Sequence, residues 1–290
     1  MWATKNKAFG VFMNFWASLI ELTSLKMTEP TSYGWFHLMF VAITVVVSVL
    51  MCVFFRNASE RGTRIICFVL WLIIALFEVY KQLNFTFSVE DGVILSDYQW
   101  YAFPFQLCST PLYVLPFVAF LPDGKLRDAA TSYIIAFSIF GGLCVYVFPG
   151  DVFIETIGIN VQTMVHHGIQ IIAGVFLAAK YRDKLKIGYY LKGGIVFAVM
   201  TVIAMVMNIA VQKAIYAAGL DDSFNMFYIS PYHDCTLPVL SVIYPLVPYP
   251  VFLAIYVVGF IAAAAIIFYA AKGVVALCGI ISKRLVNNEA

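Results

Sequence analysis

Seven long apolar stretches divide the chain, and they constrain its fold more than any other feature. They cover residues 36–55, 65–80, 101–121, 129–148, 160–180, 187–212 and 249–271. A helix needs about 20 apolar residues to cross the hydrocarbon core of a bilayer, and these stretches come close to that length. Because 62% of the residues are hydrophobic and only 12% are charged, a water-soluble fold would lack polar surface. The sequence predicts an all-α polytopic membrane protein with about seven transmembrane helices.

Residues 1–35 are predicted to form an additional helix that lies on the membrane or crosses it. The apolar segment Phe9 to Leu25 contains polar residues on one side and spaces Phe9, Phe12, Trp16 and Ile20 along the other. No Gly-, Pro- or Ser-rich linker and no internal repeat divides the remainder. We therefore expect a single seven-helix domain over residues 36–280 and a cytoplasmic tail over residues 281–290.

The basic residues predict how the chain is oriented. Thirteen of the 18 lysines and arginines fall in one set of loops and ends: Arg56, Arg61, Arg64, Lys125, Arg127, Lys180, Arg182, Lys184, Lys186, Lys192, Lys272, Lys283 and Arg284. Cytoplasmic loops collect positive charge, so this side is expected inside, together with the C-terminus. The two long loops, 81–100 and 213–248, are expected on the outer or lumenal side, where they could fold over the bundle as a lid.

Charge and cysteine spacing exclude two classes of function. The net charge is only +2 and no basic block is present, so nucleic acid is not an expected partner. The six cysteines are scattered singly without CxxC spacing, so no zinc site is expected. No metal or organic cofactor has evident ligands.

Reactive and polar side chains inside two predicted spans form the candidate site. In the third span, the prolines of the stretch Phe103 to Pro111 predict a break in the helix, and Gln106, Cys108, Ser109 and Thr110 lie between them. The fifth span carries the pair His166 and His167, with Gln170 one turn later. Cys108 and the two histidines each lie about seven residues, or roughly 10 Å, below the outer end of their span. A histidine can take the proton of a thiol, so the shared depth indicates a cysteine nucleophile with a histidine base.

Each candidate also has a purely structural interpretation. A lone cysteine in a membrane helix is usually a small inert side chain. The two histidines could be a packed, hydrogen-bonded interior pair, and Asn208 in the sixth span could hydrogen-bond across helices. For Glu78, an ion pair at the surface with Lys81, three residues later, is the favoured interpretation.

The same residues carry a resemblance to a known family. Phe103-Pro104-Phe105-Gln106-Leu107-Cys108 resembles the L-P-L-H-L-C signature of the YwaF-like bacterial integral membrane proteins, which are similar to animal transmembrane protein 164. Val165-His166-His167-Gly168 resembles the family's S-H-G, and Asn208 followed by Asn225-Met226-Phe227-Tyr228 resembles its I-N and N-Y-L-F. The likeness covers about residues 36 to 270.

The resemblance implies an activity, because the animal member is described as an acyltransferase that works through a cysteine acyl-enzyme with a histidine partner. Cys108 would be the nucleophile and His167 the base. Two departures limit this transfer. Gln106 stands where the family has histidine, and His166 stands where it has serine, so the choice between His166 and His167 stays open.

The expected function is therefore a membrane-embedded lipid acyltransferase or acyl hydrolase that acts on phospholipid acyl chains, with phospholipid and lysophospholipid as substrates. Gln106, Ser109 and Thr110 are candidate oxyanion donors. Gln170 and Asn208 are expected to bind substrate or to support the cysteine and histidines. The alternative is a non-enzymatic carrier, receptor or assembly factor with a polar intramembrane pocket. Below Cys108 and His167 both spans are almost wholly apolar, which disfavours passage of a polar solute.

Overall fold

The structure is a computed structural model that describes residues 14–150 and 152–288, with side chains to residue 280. Ten helices and one hairpin are described: α1 (14–23), α2 (Trp35–Phe54), α3 (Glu60–Asn84), β1 (Phe87–Glu90), β2 (Val93–Ser96), α4 (Pro111–Phe120), α5 (Lys125–Tyr133), α6 (Ile139–Val147), α7 (Ile157–Lys180), α8 (Ile187–Ala217), α9 (Leu240–Ile243) and α10 (Tyr249–Asn288). A π-helical turn, Ile134–Ser138, joins α5 to α6. The described chain is thus mostly helical, with one two-stranded hairpin.

Within the described residues, six helical segments are long and apolar enough to cross a membrane: Trp35–Phe54, Glu60–Asn84, Lys125–Val147, Ile157–Lys180, Ile187–Ala217 and Tyr249–Ile280. A shorter apolar helical segment, Leu107–Phe120, accompanies them. This confirms the all-α polytopic membrane fold. The division at residues 35/36 and 280/281 stays a prediction.

Two of these segments form the centre of the bundle. In their most apolar stretches, 83% of the Ile157–Lys180 residues and 72% of the Lys125–Val147 residues are buried, against 17–33% in the other four. The outer helices point large apolar side chains such as Leu38, Val202 and Ile266 away from the protein, as lipid contact requires. Residues on α7 are therefore shielded on nearly every side.

The third predicted span differs most from expectation, because residues 101–121 do not form one helix. Two short 3-10 turns, Trp100–Ala102 and Leu107–Ser109, precede the ten-residue helix α4. Pro104 lacks an N–H and disfavours helical geometry at Phe103, whose φ of −54° and ψ of 133° are extended. Pro111 occupies the first turn of α4, where the missing N–H is tolerated. The chain around Cys108 is therefore a break in the helix.

Two ends of the bundle can be distinguished by their contacts. At the basic end, the buried Arg127 guanidinium pairs with Glu60 at 3.0 Å and also pairs with Asp123. Lys180 reaches the same Glu60 at 3.3 Å, so α3, α5 and α7 are tied together there. At the opposite, loop end stand the hairpin and the 213–248 segment. Asp91 and Gly92, both with positive φ, form the two-residue turn of the hairpin.

The N-terminal segment is attached at the loop end. The Met27 N–H donates to the Glu155 carbonyl at 2.7 Å, and the Ile157 N–H donates to the Leu25 carbonyl at 3.1 Å. Apolar side chains on α1, including Phe15 and Leu22, are exposed. The predicted N-terminal helix is thus described only from residue 14, and residues 9–13 lie outside the described part. Whether this helix lies on the membrane or crosses it stays open.

Gly142 sets the distance between α6 and α7, which provides a test of their packing. A Cβ at this position would lie 2.7 Å from the His167 carbonyl oxygen and 3.1 Å from the Gln170 Cβ. We expect Gly142→Ala to destabilise the protein by about 1–3 kcal/mol, because the rigid helix backbone cannot yield. Thermal unfolding in detergent measures this.

Gly259→Ala is the matched control, because Gly259 lies inside α10 and a Cβ there meets nothing within 4 Å. Alanine favours a helix by up to about 1 kcal/mol over glycine, so this variant should be unchanged or slightly more stable. Equal stability of the two variants would contradict the close α6–α7 contact.

Candidate active site

Cys108 lies in the 3-10 turn Leu107–Ser109, at the break ahead of α4. Its side chain is half-buried, whereas Cys52, Cys67, Cys235 and Cys278 are buried. The Ser109 hydroxyl lies beside the thiol, and Ser109 itself is buried. Cys108 is therefore less enclosed than those four cysteines, although its thiol lies in a largely buried setting.

Helix α7 places two side chains against the backbone of Cys108. His166 Nε2 lies 2.9 Å from the Cys108 carbonyl oxygen, and Gln170 Nε2 donates to the same oxygen at 2.8 Å. Residues four apart lie on one face of a helix, which is why both can reach one acceptor. The structure thus brings the backbone of Cys108 together with the side chains of His166 and Gln170.

The hydrogen bonds fix the proton on each imidazole. A carbonyl oxygen can only accept, so neutral His166 carries its proton on Nε2 and has its lone pair on Nδ1. His167 Nδ1 lies 2.6 Å from the Thr163 carbonyl oxygen, so its lone pair is on Nε2, at the tip of the ring. Among the described residues, both lone-pair nitrogens are buried without a hydrogen-bond partner. Each histidine therefore keeps one unused basic nitrogen.

The thiol itself is not bonded to either imidazole. Within residues 14–150 and 152–280, no hydrogen bond joins the Cys108 sulfur to His166 or His167. The contact that the structure shows runs from His166 to the peptide carbonyl of Cys108. His166 thus holds the turn, while the Nε2 lone pair of His167 remains available.

An ion pair lies within electrostatic range of these groups. Lys81 Nζ is 2.8 Å from Glu78 Oε1, which also accepts from Gln82 Nε2 at 2.7 Å. The pair expected from the sequence is present, but it is not a surface pair, because the side chains are only 16% and 9% exposed. Both residues belong to the polar surroundings of the site.

Gln106 and Asn208 hold a loop-end segment rather than contacting Cys108. Gln106 Nε2 donates to the Asn225 carbonyl at 2.9 Å, and its Oε1 accepts from the Phe227 N–H at 2.7 Å. Asn208 makes the same two-bond contact with one residue, donating to the Met226 carbonyl at 2.9 Å and accepting from its N–H at 2.6 Å. Each side-chain amide therefore donates to one backbone carbonyl and accepts from one backbone N–H of the loop-end segment, as a paired β-strand would.

Gln212 is a third residue of this kind, and sequence reasoning missed it. Its Nε2 donates to the Asp222 carbonyl at 2.9 Å, and its Oε1 accepts from the Phe224 N–H at 2.7 Å. His233 Nε2 donates to the same Oε1, and burial lowers the pKa of His233 although Asp234 opposes the shift. The spacing of Gln212, one helical turn after Asn208 inside an apolar span, was the signal that could have revealed it.

Thr110, which follows the Leu107–Ser109 turn, contacts Tyr133. Its hydroxyl donates to the Leu107 carbonyl at 2.6 Å and lies 2.6 Å from the hydroxyl of Tyr133, at the end of α5. Tyr133 was not singled out from the sequence. Thr110 therefore anchors the start of α4 to the central π-helical span.

The amide contacts of α8 give a second prediction. Asn208→Leu would leave the Met226 N–H and carbonyl buried without partners, which costs about 2–4 kcal/mol in total. We expect amide hydrogen exchange over residues 224–228 to accelerate by at least about 30-fold. Mass spectrometry of exchanged peptides measures this.

Thr201→Val is the control on the same helix, since the Thr201 hydroxyl donates only to the Phe197 carbonyl one turn earlier. Its exchange rates over residues 224–228 should match wild type. Similar rates in Asn208→Leu and wild type would argue against this role of Asn208.

The part of the chain that the structure describes contains no cluster of metal ligands. No group of three or more His, Cys, Asp or Glu side chains is arranged to hold an ion there. The polar groups around Cys108 are instead neutral donors and acceptors, apart from the Glu78–Lys81 pair.

Comparison with known proteins identifies the family. The sequence model described as the TMEM164 family matches residues 32–270, which is most of the chain and includes every site residue named above. No curated protein and no solved structure matches the sequence. The chain therefore belongs to the TMEM164 family of membrane proteins.

Proposed function

We propose that this protein is a membrane-embedded lipid acyltransferase that forms an acyl-thioester on Cys108, with His167 as the base. One observation carries the proposal most directly. Half-buried Cys108 lies in a helix break that α7 holds, and α7 carries an imidazole whose basic nitrogen is buried and unpaired among the described residues. Membership of the TMEM164 family is consistent with it.

The two histidines take different roles in this proposal. The free Nε2 of His167 is at the tip of its ring, away from its own backbone, so it can approach a thiol or a hydroxyl. The free Nδ1 of His166 is next to its own backbone, while its tip is committed to the Cys108 carbonyl. His167 is therefore the base, and His166 is a positioning residue.

The first half-reaction breaks an ester. His167 Nε2 takes the proton of the Cys108 thiol, and the thiolate attacks the carbonyl carbon of a phospholipid acyl ester. The tetrahedral oxyanion collapses to the acyl-thioester and expels the glycerol oxygen, which takes the proton back from His167. A lysophospholipid leaves.

The second half-reaction runs the same steps backwards on another acceptor. His167 removes a proton from the hydroxyl of a second lysophospholipid, whose oxygen attacks the thioester and expels the Cys108 thiolate. Water in place of that hydroxyl would make the protein a hydrolase. The oxyanion in both halves needs donors, for which the Cys108 N–H at the start of its turn and the Ser109 hydroxyl are the candidates.

A polar cleft close to Cys108 supports a lipid ester as substrate. A cleft of about 530 Å³ opens at the loop end, and its lining includes Tyr101, Gln106 and His233. Gln106 is two residues from Cys108, so this polar cleft could take a headgroup while acyl chains stay among the helices. Because the opposite end carries most of the basic residues, the loop end is proposed to face the outside or a lumen, with the C-terminus in the cytoplasm.

A carrier is the second candidate, and the interior packing disfavours it. Tyr133 stacks on Phe137 with ring centroids 5.4 Å apart, Phe137 on Phe197 at 4.7 Å, and Tyr256 on Phe260 at 4.1 Å. These rings fill the space between α5, α8 and α10. A polar solute crossing there would have to displace closely packed aromatic side chains.

Mass spectrometry of the intact protein, purified from membranes, tests the covalent intermediate. Wild type should carry an added mass of one fatty acyl chain that hydroxylamine removes, and Cys108→Ala should lack it. Cys144→Ala is the matched control, since Cys144 is also half-buried and lies close to Cys108. An adduct that persists in Cys108→Ala, or an unmodified wild type after incubation with phospholipids, would refute the proposal.

Two conservative variants separate the histidines. His167→Asn keeps a donor for the Thr163 carbonyl but removes the base, so we expect transfer between a labelled phospholipid and a lysophospholipid to fall by about 10²–10⁴-fold. His166→Gln keeps a donor for the Cys108 carbonyl, so its rate should fall less than about tenfold. The reverse order would make His166 the base.

A further inference from the structure

A pocket at the basic end combines positive charge with an apolar wall. It has a volume of about 340 Å³ and is lined by Arg56 after α2, Arg182 after α7 and Lys272 of α10, together with Asp183 and the apolar residues Leu185, Val275, Ala276, Gly279 and Ile280. Three elements distant in sequence thus direct cationic side chains to one place. The pocket lies at the C-terminal end of α7, whereas Cys108 contacts His166 and Gln170 near the middle of that helix.

The cations in this pocket differ from their neighbours in pairing. Arg127, Lys180 and Lys184 at the same end each have a carboxylate within 4.0 Å. Among the described side chains, neither Arg56 nor Lys272 has such a partner. Arg182 reaches only neutral oxygens: the Ala179 carbonyl at 3.2 Å, the Asn57 amide at 3.4 Å and the Arg56 carbonyl at 3.5 Å. The positive charge of the pocket is therefore left for an external anion.

The wall indicates what kind of anion fits. Gly279 lets the Arg56 guanidinium lie against α10, because a Cβ there would be 2.8 Å from one of its terminal nitrogens. The neighbouring turns of α10 expose Leu277 and Ile280, which are 62% and 51% accessible. A ligand that places its anionic group between the cations would therefore have its remainder against an apolar helix that faces lipid.

We propose that this pocket binds the phosphate headgroup of an anionic phospholipid of the surrounding membrane. Basic pockets between transmembrane helices suit such headgroups, because the phosphate accepts charge-assisted hydrogen bonds from arginine while the acyl chains remain in the bilayer. Asp183 partly offsets the positive charge and tunes the affinity. The site is distinct from the acyl-transfer site and does not depend on the function proposed for it.

Native mass spectrometry of the full-length protein in neutral detergent tests the proposal. The probes are phosphatidylglycerol, zwitterionic phosphatidylcholine and inorganic phosphate. We expect phosphatidylglycerol to bind at least about tenfold more tightly than phosphatidylcholine, and Arg56→Gln/Arg182→Gln/Lys272→Gln to remove that preference. Asp183→Asn should strengthen phosphatidylglycerol binding by about two- to threefold, because it removes a repulsive charge.

The matched control neutralises the same number of charges at the same end. Arg61→Gln/Lys125→Gln/Lys186→Gln changes exposed residues outside the pocket and should alter binding by less than twofold. Lys272→Gln alone guards against misfolding, since Lys272 makes no hydrogen bond or ion pair among the described residues, and it should weaken binding about threefold. Equal losses in both triple variants, or no preference for phosphatidylglycerol, would overturn the site. Full displacement by millimolar phosphate would overturn the lipid as its ligand.

Discussion

The hydrogen bonds from α7 to the Cys108 carbonyl are the contacts on which the candidate site depends. A helix broken inside a membrane exposes backbone groups that water cannot satisfy, and each such group costs several kcal/mol unless another part of the protein bonds it. His166 and Gln170 provide that bond at 2.9 and 2.8 Å. The break that exposes the thiol is thus stabilised by the same helix that brings the imidazoles. This requirement also explains why α7 is polar and why it is buried at the centre.

A second set of contacts fixes the other side of the same turn. Gln106, two residues before Cys108, binds the backbone of Asn225 and Phe227. Asn208 of α8 binds Met226 between them, and Gln212 binds residues just before them. The segment they hold is strained, with φ of 59° at Phe227 and 56° at Tyr228, so it needs such support. Its conformation inserts Phe227 between Phe105 and Phe197. The Cys108 turn is therefore anchored to α7 on one side and to the loop end on the other.

The sequence predicted most of the spans but not the form of the third. Six of the seven apolar stretches are helices that differ from their predicted bounds by a few residues at most places, because length and hydropathy suffice to identify a spanning helix. For residues 101–121, the prolines indicated broken helix geometry at Pro104 and Pro111, yet only tertiary contacts decide that the first half becomes short turns.

The candidate site shows the same limit. Depth along the spans predicted one level for Cys108 and the histidines, and in the structure His166 contacts the Cys108 carbonyl. The depth of a residue does not show which way its side chain points. The hydrogen bond from His166 to the backbone carbonyl of Cys108, rather than to its thiol, was therefore not predicted. Gly168, next to His167, is explained by packing: a Cβ there would lie 2.6 Å from the Thr44 hydroxyl and 2.7 Å from that of Tyr146. Such side-to-side contacts are not encoded in periodicity.

The two ends of the bundle bear on the kind of activity that the site can support. The Glu60–Arg127–Lys180 ion pairs join α3, α5 and α7 at the basic end, and the aromatic stack occupies the interior between α5, α8 and α10. The polar cleft, in contrast, is at the loop end near Gln106. A carrier needs access from both faces, whereas a transferase needs only one, with donor and acceptor lipids entering and leaving through the same leaflet. A polar cleft at one end only therefore fits the proposed acyl exchange within one leaflet better than it fits a carrier.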